Sequence, residues 1–331
     1  MELETIPAPP ASALLARMSG RRVVVIGDVM IDEWIWGNVT RISPEAPVPV
    51  VAVRDHSFTL GGAGNVASNL RALGANVTFV GAVGDDSAAA RVRTLFAENA
   101  VDARGLVVLA DRPTTRKTRI VAHNQQVVRA DWEATAALDE AAQAAAIAHV
   151  KTAIRDADAV VLSDYAKGFL SRPIVEAALG CALVIADPKP ENIALFAGVT
   201  CIAPNVAEAA RATGIAIADD AALDRAGRAL LERLACRYVI VTRGEHGMSL
   251  FGRDGERADI PSVARTVFDV SGAGDTVVAV LTLALAAQIP IETAMQLANF
   301  AAGAVVEKLG TATATPAEII GLLEHDAAGR R

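Results

Sequence analysis

The sequence reads Val267-Phe268-Asp269-Val270-Ser271-Gly272-Ala273-Gly274-Asp275-Thr276 and continues directly into a long apolar run, residues 277–287. The run predicts a helix, and the glycines before it predict a tight turn at the N-terminus of that helix. The first N–H groups of a helix have no partner inside it and lie at the positive end of its dipole, so such a turn can bind an anion without a basic side chain. Asp275 would lie beside that anion, where it could accept a proton from an attacking hydroxyl.

The same residues also suit an ordinary helix start, because Asp often caps helices and Gly often shapes turns. The pattern Asp269-x-x-Gly272-Ala273-Gly274-Asp275, however, resembles the C-terminal signature of the ribokinase, or PfkB-type, sugar kinases. The resemblance implies that Asp275 is the catalytic base and that Gly272, Ala273 and Gly274 form an anion hole. The two residues after Asp269 depart from the signature, since family members often carry Thr there.

The composition indicates a large folded α/β domain. The chain has 331 residues, of which 52% are apolar and 21% charged, enough to bury a sizeable core. Its net charge of −7 disfavours nucleic acid and anionic membranes as partners. The N-terminus carries no basic region, and no apolar run approaches the roughly 20 residues of a membrane span, so we expect a cytoplasmic protein. Three scattered cysteines predict reduced thiols rather than a metal site.

Apolar strands followed by polar residues predict where ligands bind. Residues 23–26 form a continuous apolar run that ends in Gly27-Asp28, as a buried parallel strand does. From about Asp139, predicted helices and strands alternate, which is typical of a doubly wound, mainly parallel sheet with helices on both faces. Ligands bind at the carboxyl ends of such strands, so we expect Asp28 and Asp32 near the site, where carboxylates accept hydrogen bonds from sugar hydroxyls. A solvated turn is the alternative for both acids. Further polar strand ends are Asp164, Asp187 with Lys189, Asn205 and Thr242.

A small protruding sheet is predicted from the segments at about 34–60 and 115–131. The first segment alternates short apolar stretches with Pro44, Pro47 and Pro49, as edge strands do. Such a sheet would serve as a lid over the substrate, as a dimer interface, or as both. In the second segment, strand alternation puts Lys117 and Arg119 on one face, where they could jointly hold a phosphate. Charges that guard a sheet edge are the alternative.

A further helix is predicted to open at Gly61-Gly62-Ala63-Gly64-Asn65-Val66-Ala67, and this segment has two interpretations. Its glycines fit the dinucleotide fingerprint, with Asp85 as the ribose-binding acid, which would make the protein a nicotinamide-dependent oxidoreductase. The strand before it is only weakly apolar, which disfavours that fingerprint. The segment resembles better the N-terminal signature of the same sugar kinases, which implies that Gly61, Gly62 and Asn65 bind the sugar.

Asn205-x-x-Glu208 presents an amide and a carboxylate on one face of a first helical turn. That pair suits Mg²⁺ held largely through water, and it equally suits a capping box. By resemblance to the Asn-x-x-Glu motif of ribokinase-type enzymes, Asn205 and Glu208 organise Mg²⁺ and the phosphates of ATP. The resemblance leaves open a monovalent cation such as K⁺ near Asp269. It also assigns the nucleotide to Thr242, Gly244, Gly247, Asn299 and Ala302.

Within this family, several stretches are similar to the bacterial kinases of D-glycero-D-manno-heptose 7-phosphate. They are residues 27–32, 41–50, 124–126 and 163–168. The similarity implies phosphoryl transfer from ATP to the anomeric hydroxyl of that sugar phosphate, with Asn124, Gln126 and Asp164 also at the substrate. The substrate phosphate would be bound by a basic residue among Lys117, Arg119, Arg116 and Lys189.

The resemblance covers nearly the whole chain, so we expect one ribokinase-like domain over residues 1–331, with the lid sheet inserted and a homodimer formed through the lid. The chain ends shortly after His325, which leads us to expect a stand-alone kinase. Three alternatives stay open: another sugar or nucleoside kinase of the same family, the oxidoreductase, and a non-catalytic sugar sensor built on the same scaffold.

Overall fold

The computed structural model describes residues 8–123, 125–264 and 266–329. The strands are β1 (Arg22–Gly27), β2 (Val29–Ile42), β3 (Pro49–Gly62), β4 (Asn76–Gly84), β5 (Asp102–Leu109), β6 (Arg116–Ala122), β7 (Gln125–Trp132), β8 (Ala159–Ser163), β9 (Val184–Asp187), β10 (Cys201–Ile202), β11 (Tyr238–Thr242), β12 (Met248–Gly252) and β13 (Arg257–Ile260). The α-helices are α1 (Ala8–Met18), α2 (Ala63–Ala72), α3 (Ser87–Glu98), α4 (Glu140–Ala153), α5 (Arg172–Ala178), α6 (Val206–Thr213), α7 (Asp220–Leu234), α8 (Ala273–Ala286), α9 (Ile291–Val306) and α10 (Pro316–Gly329).

The main sheet has nine strands in the order β13-β12-β11-β10-β9-β8-β1-β4-β5. Neighbouring strands are parallel except at the β11–β12 and β12–β13 pairs, which are antiparallel. β1 lies between β8 and β4, and helices cover both faces of a central parallel strand, so its residues form an unbroken apolar run. The predicted doubly wound, mainly parallel sheet is confirmed.

Side chains alternate along β1 and divide the core into two layers. Val23 and Val25 pack in the cluster that contains α8 and α9, whereas Val24 and Ile26 pack in the cluster that contains α4 and α5. Every residue of α8 from Asp275 to Ala284 is buried, because the helix packs against α2, α9 and the sheet. A helix covered on all sides is apolar all round, which explains why its sequence shows no amphipathic period.

A second, smaller sheet has the order β3-β2-β6-β7. It contains both segments predicted for the lid, but β2 already begins at Val29 and β3 continues to Gly62. The sheet therefore starts immediately after β1 and ends where α2 begins. Pro44 and Pro47 lie between the two long strands and Pro49 opens β3, positions at which a proline costs little in sheet hydrogen bonding.

Four elements have no counterpart among the predictions: β5, β12, β13 and α10. β5 is an edge strand that begins with an Asp102–Arg104 ion pair, and the antiparallel β12–β13 hairpin consists of very short strands at the opposite edge. Strands of this kind lack the long apolar run that marks a central strand. Across the described ranges, no helix is both long and apolar enough to cross a bilayer.

The packing of α7 on the main sheet can be tested at Gly227. A Cβ at this position would lie 2.5 Å from the ring of Phe251. Gly227→Ala should therefore lower the free energy of unfolding by about 1–3 kcal/mol, although alanine favours a helix. Gly321 in α10 has nothing within 4 Å of such a Cβ, so Gly321→Ala should instead raise stability by up to about 1 kcal/mol. Urea unfolding measures both, and a Gly227→Ala protein as stable as the wild type would contradict the packing.

Candidate active site

The site begins at the N-terminus of α8. Gly272 is the N-cap of this helix, and its φ of 82° lies in the left-handed region that glycine adopts without strain. No side chain in the described part of the protein caps the helix. Ala273, expected in the anion hole, donates its N–H to the carbonyl of Val270 at 3.2 Å. The N–H groups of Gly274 and Asp275 remain the donors best placed for an anion.

Asp275 is the third residue of α8, not its cap, and is only 4% exposed. Its Oδ2 accepts a hydrogen bond of 2.7 Å from Nδ2 of Asn65, and its Oδ1 accepts one of 2.8 Å from the hydroxyl of Tyr165. Burial raises the pKa of Asp275 to about 6, and the two hydrogen bonds and Lys189 oppose that rise. A carboxyl group that titrates near neutral pH is suited to accept a proton.

Two polar contacts join α2 to α8. Asn65 donates to Asp275. One turn further along α2, Oδ1 of Asn69 accepts a hydrogen bond of 2.8 Å from the hydroxyl of Thr276. A Cβ at Gly272 would lie 2.6 Å from Nδ2 of Asn65. Asn65, predicted to bind the sugar, thus lies at the catalytic end of α8 and contacts the predicted base.

The glycine turn before α2 is not shaped for a dinucleotide. The N–H of Ala63 already donates to the carbonyl of Asp28 at 3.0 Å. A Cβ at Gly62 would lie 2.5 Å from that same carbonyl oxygen, and one at Gly64 would contact Leu60 at 3.1 Å. The strand before the turn, β3, also belongs to the small sheet and pairs antiparallel with β2 rather than lying in the parallel sheet, which disfavours the oxidoreductase interpretation.

One cleft brings together the predicted base and several predicted nucleotide residues. It has a volume of about 130 Å³ and lies at the carboxyl end of the main sheet. Thr242 ends β11, and the neighbouring loop supplies the start of α6. The lining includes Gly272, Gly274 and Asp275 of α8, Asn205 and Glu208 at the start of α6, and Thr242.

Asn205 and Glu208 form a complete capping box. Oδ1 of Asn205 accepts from the N–H of Glu208 at 2.9 Å, and Oε2 of Glu208 accepts from the N–H of Asn205 at 3.0 Å. Oε1 of Glu208 binds Nζ of Lys189 at 2.6 Å. Lys189 therefore lies in this cleft with its charge already paired with Glu208.

A buried acid, Asp187, faces the same cleft. Its side chain makes no hydrogen bond with any residue that the structure describes, and burial raises its pKa to about 8. Asp187 and Glu208 place carboxyl oxygens together, and a hard cation such as Mg²⁺ bound there would favour the ionised form of Asp187. The described residues contain no group of three or more His, Cys, Asp or Glu side chains arranged around a metal, so the cation would take its other ligands from water and phosphate.

Asp28 and Asp164 differ from the substrate contacts predicted for them. The carboxylate of Asp28 accepts three backbone N–H groups, those of Tyr165, Lys167 and Phe169, at 2.9, 3.0 and 3.2 Å. Asp164 accepts the N–H groups of Ala166 and Lys189 and the amide of Asn192. Both acids are buried, and their oxygens hold the loops after β8 and β9 in place.

One face of the small sheet carries Asp32, Lys117 and Arg119, and the charge of Asp32 acts on Asp275. Arg119 donates to Oδ1 of Asp32 at 2.5 Å and stacks over the ring of Trp34, so its charge is already paired. Lys117 lies opposite Asp32 in the register, on the same face. It makes no ion pair with any described residue, and burial, with Lys167 nearby, lowers its pKa.

Two of the predicted substrate residues lie elsewhere on the small sheet. Arg116 lies on the opposite face, 3.7 Å from Glu33 and stacked over the ring of Trp132. Its guanidinium is directed towards Glu33, so Arg116 does not share the face that carries Lys117. Gln126 is exposed on β7, and Asn124 lies outside the described residues.

The other residues predicted to bind the nucleotide differ in their burial and contacts. Asn299 is buried and donates to the carbonyl of Pro261 at 2.8 Å, so it anchors the chain after β13 to α9. Gly247 has a φ of 83°, and a Cβ there would lie 1.8 Å from the carbonyl oxygen of Ile260, so only glycine fits. Gly244 follows β11 with open space around it, and Ala302 is half-buried on α9.

Two residues of the site had no role in the sequence prediction. Tyr165 belongs to the stretch 163–168 and Asp187 is a polar strand end, and the sequence pattern gives neither residue a specific role. Both follow or end a buried strand of the main sheet, and that position was the available signal. Their contacts with the site depend on loop geometry that a strand pattern does not specify.

Comparison with known proteins now identifies the family. The family model described as pfkB family carbohydrate kinase matches residues 21–318. The chain belongs to this family. Bifunctional protein HldE of Desulfatibacillum aliphaticivorans is 46% identical over 307 residues, 91% of this chain and 63% of that protein. Bifunctional protein HldE of Azorhizobium caulinodans is 45% identical over 321 residues, 95% of this chain and 67% of that protein. The chain thus spans about two thirds of the length of these relatives.

Solved structures of other carbohydrate kinases share the fold. Arabidopsis thaliana ribokinase complexed with ribose and ATP has a TM-score of 0.70 at 19% identity, and the match covers 92% of this chain and 99% of that one. Escherichia coli phosphofructokinase-2 in complex with potassium has a TM-score of 0.77 at 17% identity, with 93% and 99% covered. The ribokinase-like architecture of this pfkB family member is therefore established.

Alanine substitutions at two glycines of the α8 turn distinguish a structural role of the turn from a ligand-binding role. Gly272→Ala should lower both stability and turnover, because it strains a left-handed residue and displaces Asn65. Gly274 has nothing within 4 Å of an added Cβ, so Gly274→Ala should leave thermal stability unchanged or slightly raised while raising KM for ATP roughly tenfold or more through closer crowding of the phosphate. Thermal melting and steady-state kinetics measure both. Unchanged KM for ATP in Gly274→Ala would argue that the turn only shapes the chain.

Proposed function

We propose that this carbohydrate kinase transfers the terminal phosphoryl group of ATP to the anomeric hydroxyl of D-glycero-D-manno-heptose 7-phosphate, yielding the 1,7-bisphosphate that leads to ADP-heptose. The single observation that carries the proposal of phosphoryl transfer is the shared cleft of Asp275, the free N–H groups of α8 and the Asn205–Glu208 pair. The choice of sugar rests on the four similar stretches of sequence and on the relatives named HldE.

In this proposal Asp275 accepts the proton of the acceptor hydroxyl. Its hydrogen bonds from Asn65 and Tyr165 fix the direction of the carboxylate and leave further lone pairs for the substrate. The N–H groups of Gly274 and Asp275 stabilise the charge on the group in transit. Positioning and electrostatic stabilisation account for most of the rate in phosphoryl transfer, so a site with one base and preformed donors is sufficient.

Mg²⁺ fits beside the nucleotide phosphates. Asn205 and Glu208 would hold it largely through water, with the carboxyl oxygens of Asp187 on the same side. When bound, the ion neutralises charge on the β- and γ-phosphates. Lys189, which binds Glu208, supplies a cation at the same end of the cleft. A monovalent cation near Asp269 stays a prediction.

Lys117 is the best candidate for the substrate phosphate. Of the four basic residues considered, Arg119 is paired with Asp32, Lys189 with Glu208, and Arg116 lies on the other face. Lys117 makes no ion pair with any residue in the described part of the chain, and burial lowers its pKa, so a bound anion would relieve a desolvated ammonium group. A phosphate is such an anion.

The proposed homodimer through the lid sheet is supported by exposed apolar side chains on that sheet. A single exposed apolar residue needs no explanation, but several on one small sheet favour an interface. They are Ile42, Val48, Val53, Val127, Val128 and Trp132.

The proposed activity predicts ATP consumption in a coupled assay with heptose 7-phosphate and Mg²⁺. Asp275→Asn should still bind ATP–Mg²⁺ and the sugar phosphate but lose turnover by a factor of about 10³ or more. Protection from thermal unfolding by ATP–Mg²⁺, and not by NAD, would separate the kinase from the oxidoreductase. Turnover only with a different sugar would reassign the acceptor substrate. An absence of turnover with every sugar would favour the non-catalytic sugar sensor. A near-normal kcat in Asp275→Asn would show that Asp275 is not the base.

Lys117→Met should raise KM for the sugar phosphate by roughly 10- to 100-fold, the cost of losing one charge-assisted hydrogen bond, and leave KM for ATP nearly unchanged. Arg116→Met is the matched control, because it removes a neighbouring charge from the opposite face of the same strand. Initial rates at varied concentrations of each substrate measure the split. An equal rise in both KM values, or none, would contradict the assignment.

A further inference from the structure

Tyr165 lies against the predicted base, partly buried in the wall of the cleft. Its hydroxyl donates to Oδ1 of Asp275 at 2.8 Å, and its ring lies 5.1 Å from Nζ of Lys189. The backbone of its loop is held by hydrogen bonds, because the N–H groups of Tyr165, Lys167 and Phe169 donate to the carboxylate of Asp28. The backbone that carries the Tyr165 side chain is therefore anchored at the end of β1.

The groups around Asp275 make the hydrogen bond from the Tyr165 hydroxyl important for the ionisation of Asp275. The neutral donors are Asn65 on one oxygen and Tyr165 on the other. The ionisable groups that face Asp275 are Tyr165, Lys189, Asp32 and Asp187, with Glu208 further along the cleft. Acids thus outnumber the one cation, and Lys189 is already bound to Glu208. A buried carboxylate in such a setting depends on its direct donors to stay ionised.

We propose that Tyr165 is a positioning residue for the kinase reaction: its hydroxyl holds the Asp275 carboxylate in the ionised form and directs its free lone pairs towards the acceptor hydroxyl. This inference rests on the proposed role of Asp275 as the base. It does not depend on which sugar is the acceptor.

The hydrogen bond from Tyr165 has a predictable effect on the pKa of Asp275. A donor to a carboxylate stabilises its charged form, so removing the Tyr165 hydroxyl should raise the pKa of Asp275 beyond about 6. Less of the enzyme then carries an ionised base at neutral pH. Burial raises the pKa of Tyr165 itself well above its ordinary value, so the hydroxyl remains a donor throughout the working range.

The test is the pH profile of kcat/KM in Tyr165→Phe, with whichever acceptor the wild type uses. The acid limb, expected near pH 6 in the wild type, should move upward by about one pH unit, since one hydrogen bond to a charged group is lost. Tyr238→Phe is the matched control: Tyr238 is the chain's other tyrosine and opens β11, at the strand end remote from the cleft, so its profile should not move. An unmoved acid limb in a folded Tyr165→Phe protein would overturn the inference.

A second measurement does not need activity. In Tyr238→Phe, Tyr165 is the only tyrosine, and its ultraviolet resonance Raman band, which is separate from those of the three tryptophans, reports donation to a charged acceptor. The band should titrate with the same midpoint as the acid limb and should lose that titration when Asp275→Asn is added. A band that does not titrate would overturn the inference even if Tyr165→Phe failed to fold. Full turnover in Asp275→Asn would instead refute the proposed base and leave the spectroscopic contact intact.

Discussion

A carboxylate buried at the start of α8 is the constraint on which the rest of the site depends. Asp275 is almost wholly removed from water, and an isolated buried charge would simply become protonated. The protein opposes this with the N-terminal end of a helix dipole and with one neutral donor on each oxygen. The donors come from α2 and from the loop after β8, so these elements must converge on the same point.

That convergence explains several features at once. Gly272 has no side chain because Asn65 occupies the space that a Cβ would take. Asn69 and Thr276 repeat the α2–α8 contact one turn deeper and fix the angle between the helices. Asp28, at the end of β1, uses both oxygens to hold the Tyr165 loop. The acids at the strand ends thus fall into two kinds, those that hold loops and those that face the cleft.

The sequence was sufficient for the elements with strong patterns and insufficient for the direction of side chains. The apolar run after Asp275 and the run before Asp28 fixed α8 and β1, because full burial requires an unbroken apolar stretch. Strand alternation placed Lys117 and Arg119 on one face, and the register confirms it. The pairing of Arg119 with Asp32, however, joins residues 87 apart in the chain, and no local pattern encodes such a contact. The backbone partners of Asp28 could not be predicted for the same reason, since they lie more than 130 residues away.

The central claim is that the acceptor hydroxyl and the terminal phosphate of ATP meet between Asp275 and the first turn of α8. A crystal structure with Mg²⁺, a non-hydrolysable ATP analogue and the sugar phosphate tests it most directly. The account predicts the terminal phosphate within about 3 Å of the Gly274 N–H and a sugar hydroxyl within about 3 Å of the Asp275 carboxylate. Phosphates bound at the glycine turn before α2, or an Asp275 out of reach of every substrate oxygen, would contradict it.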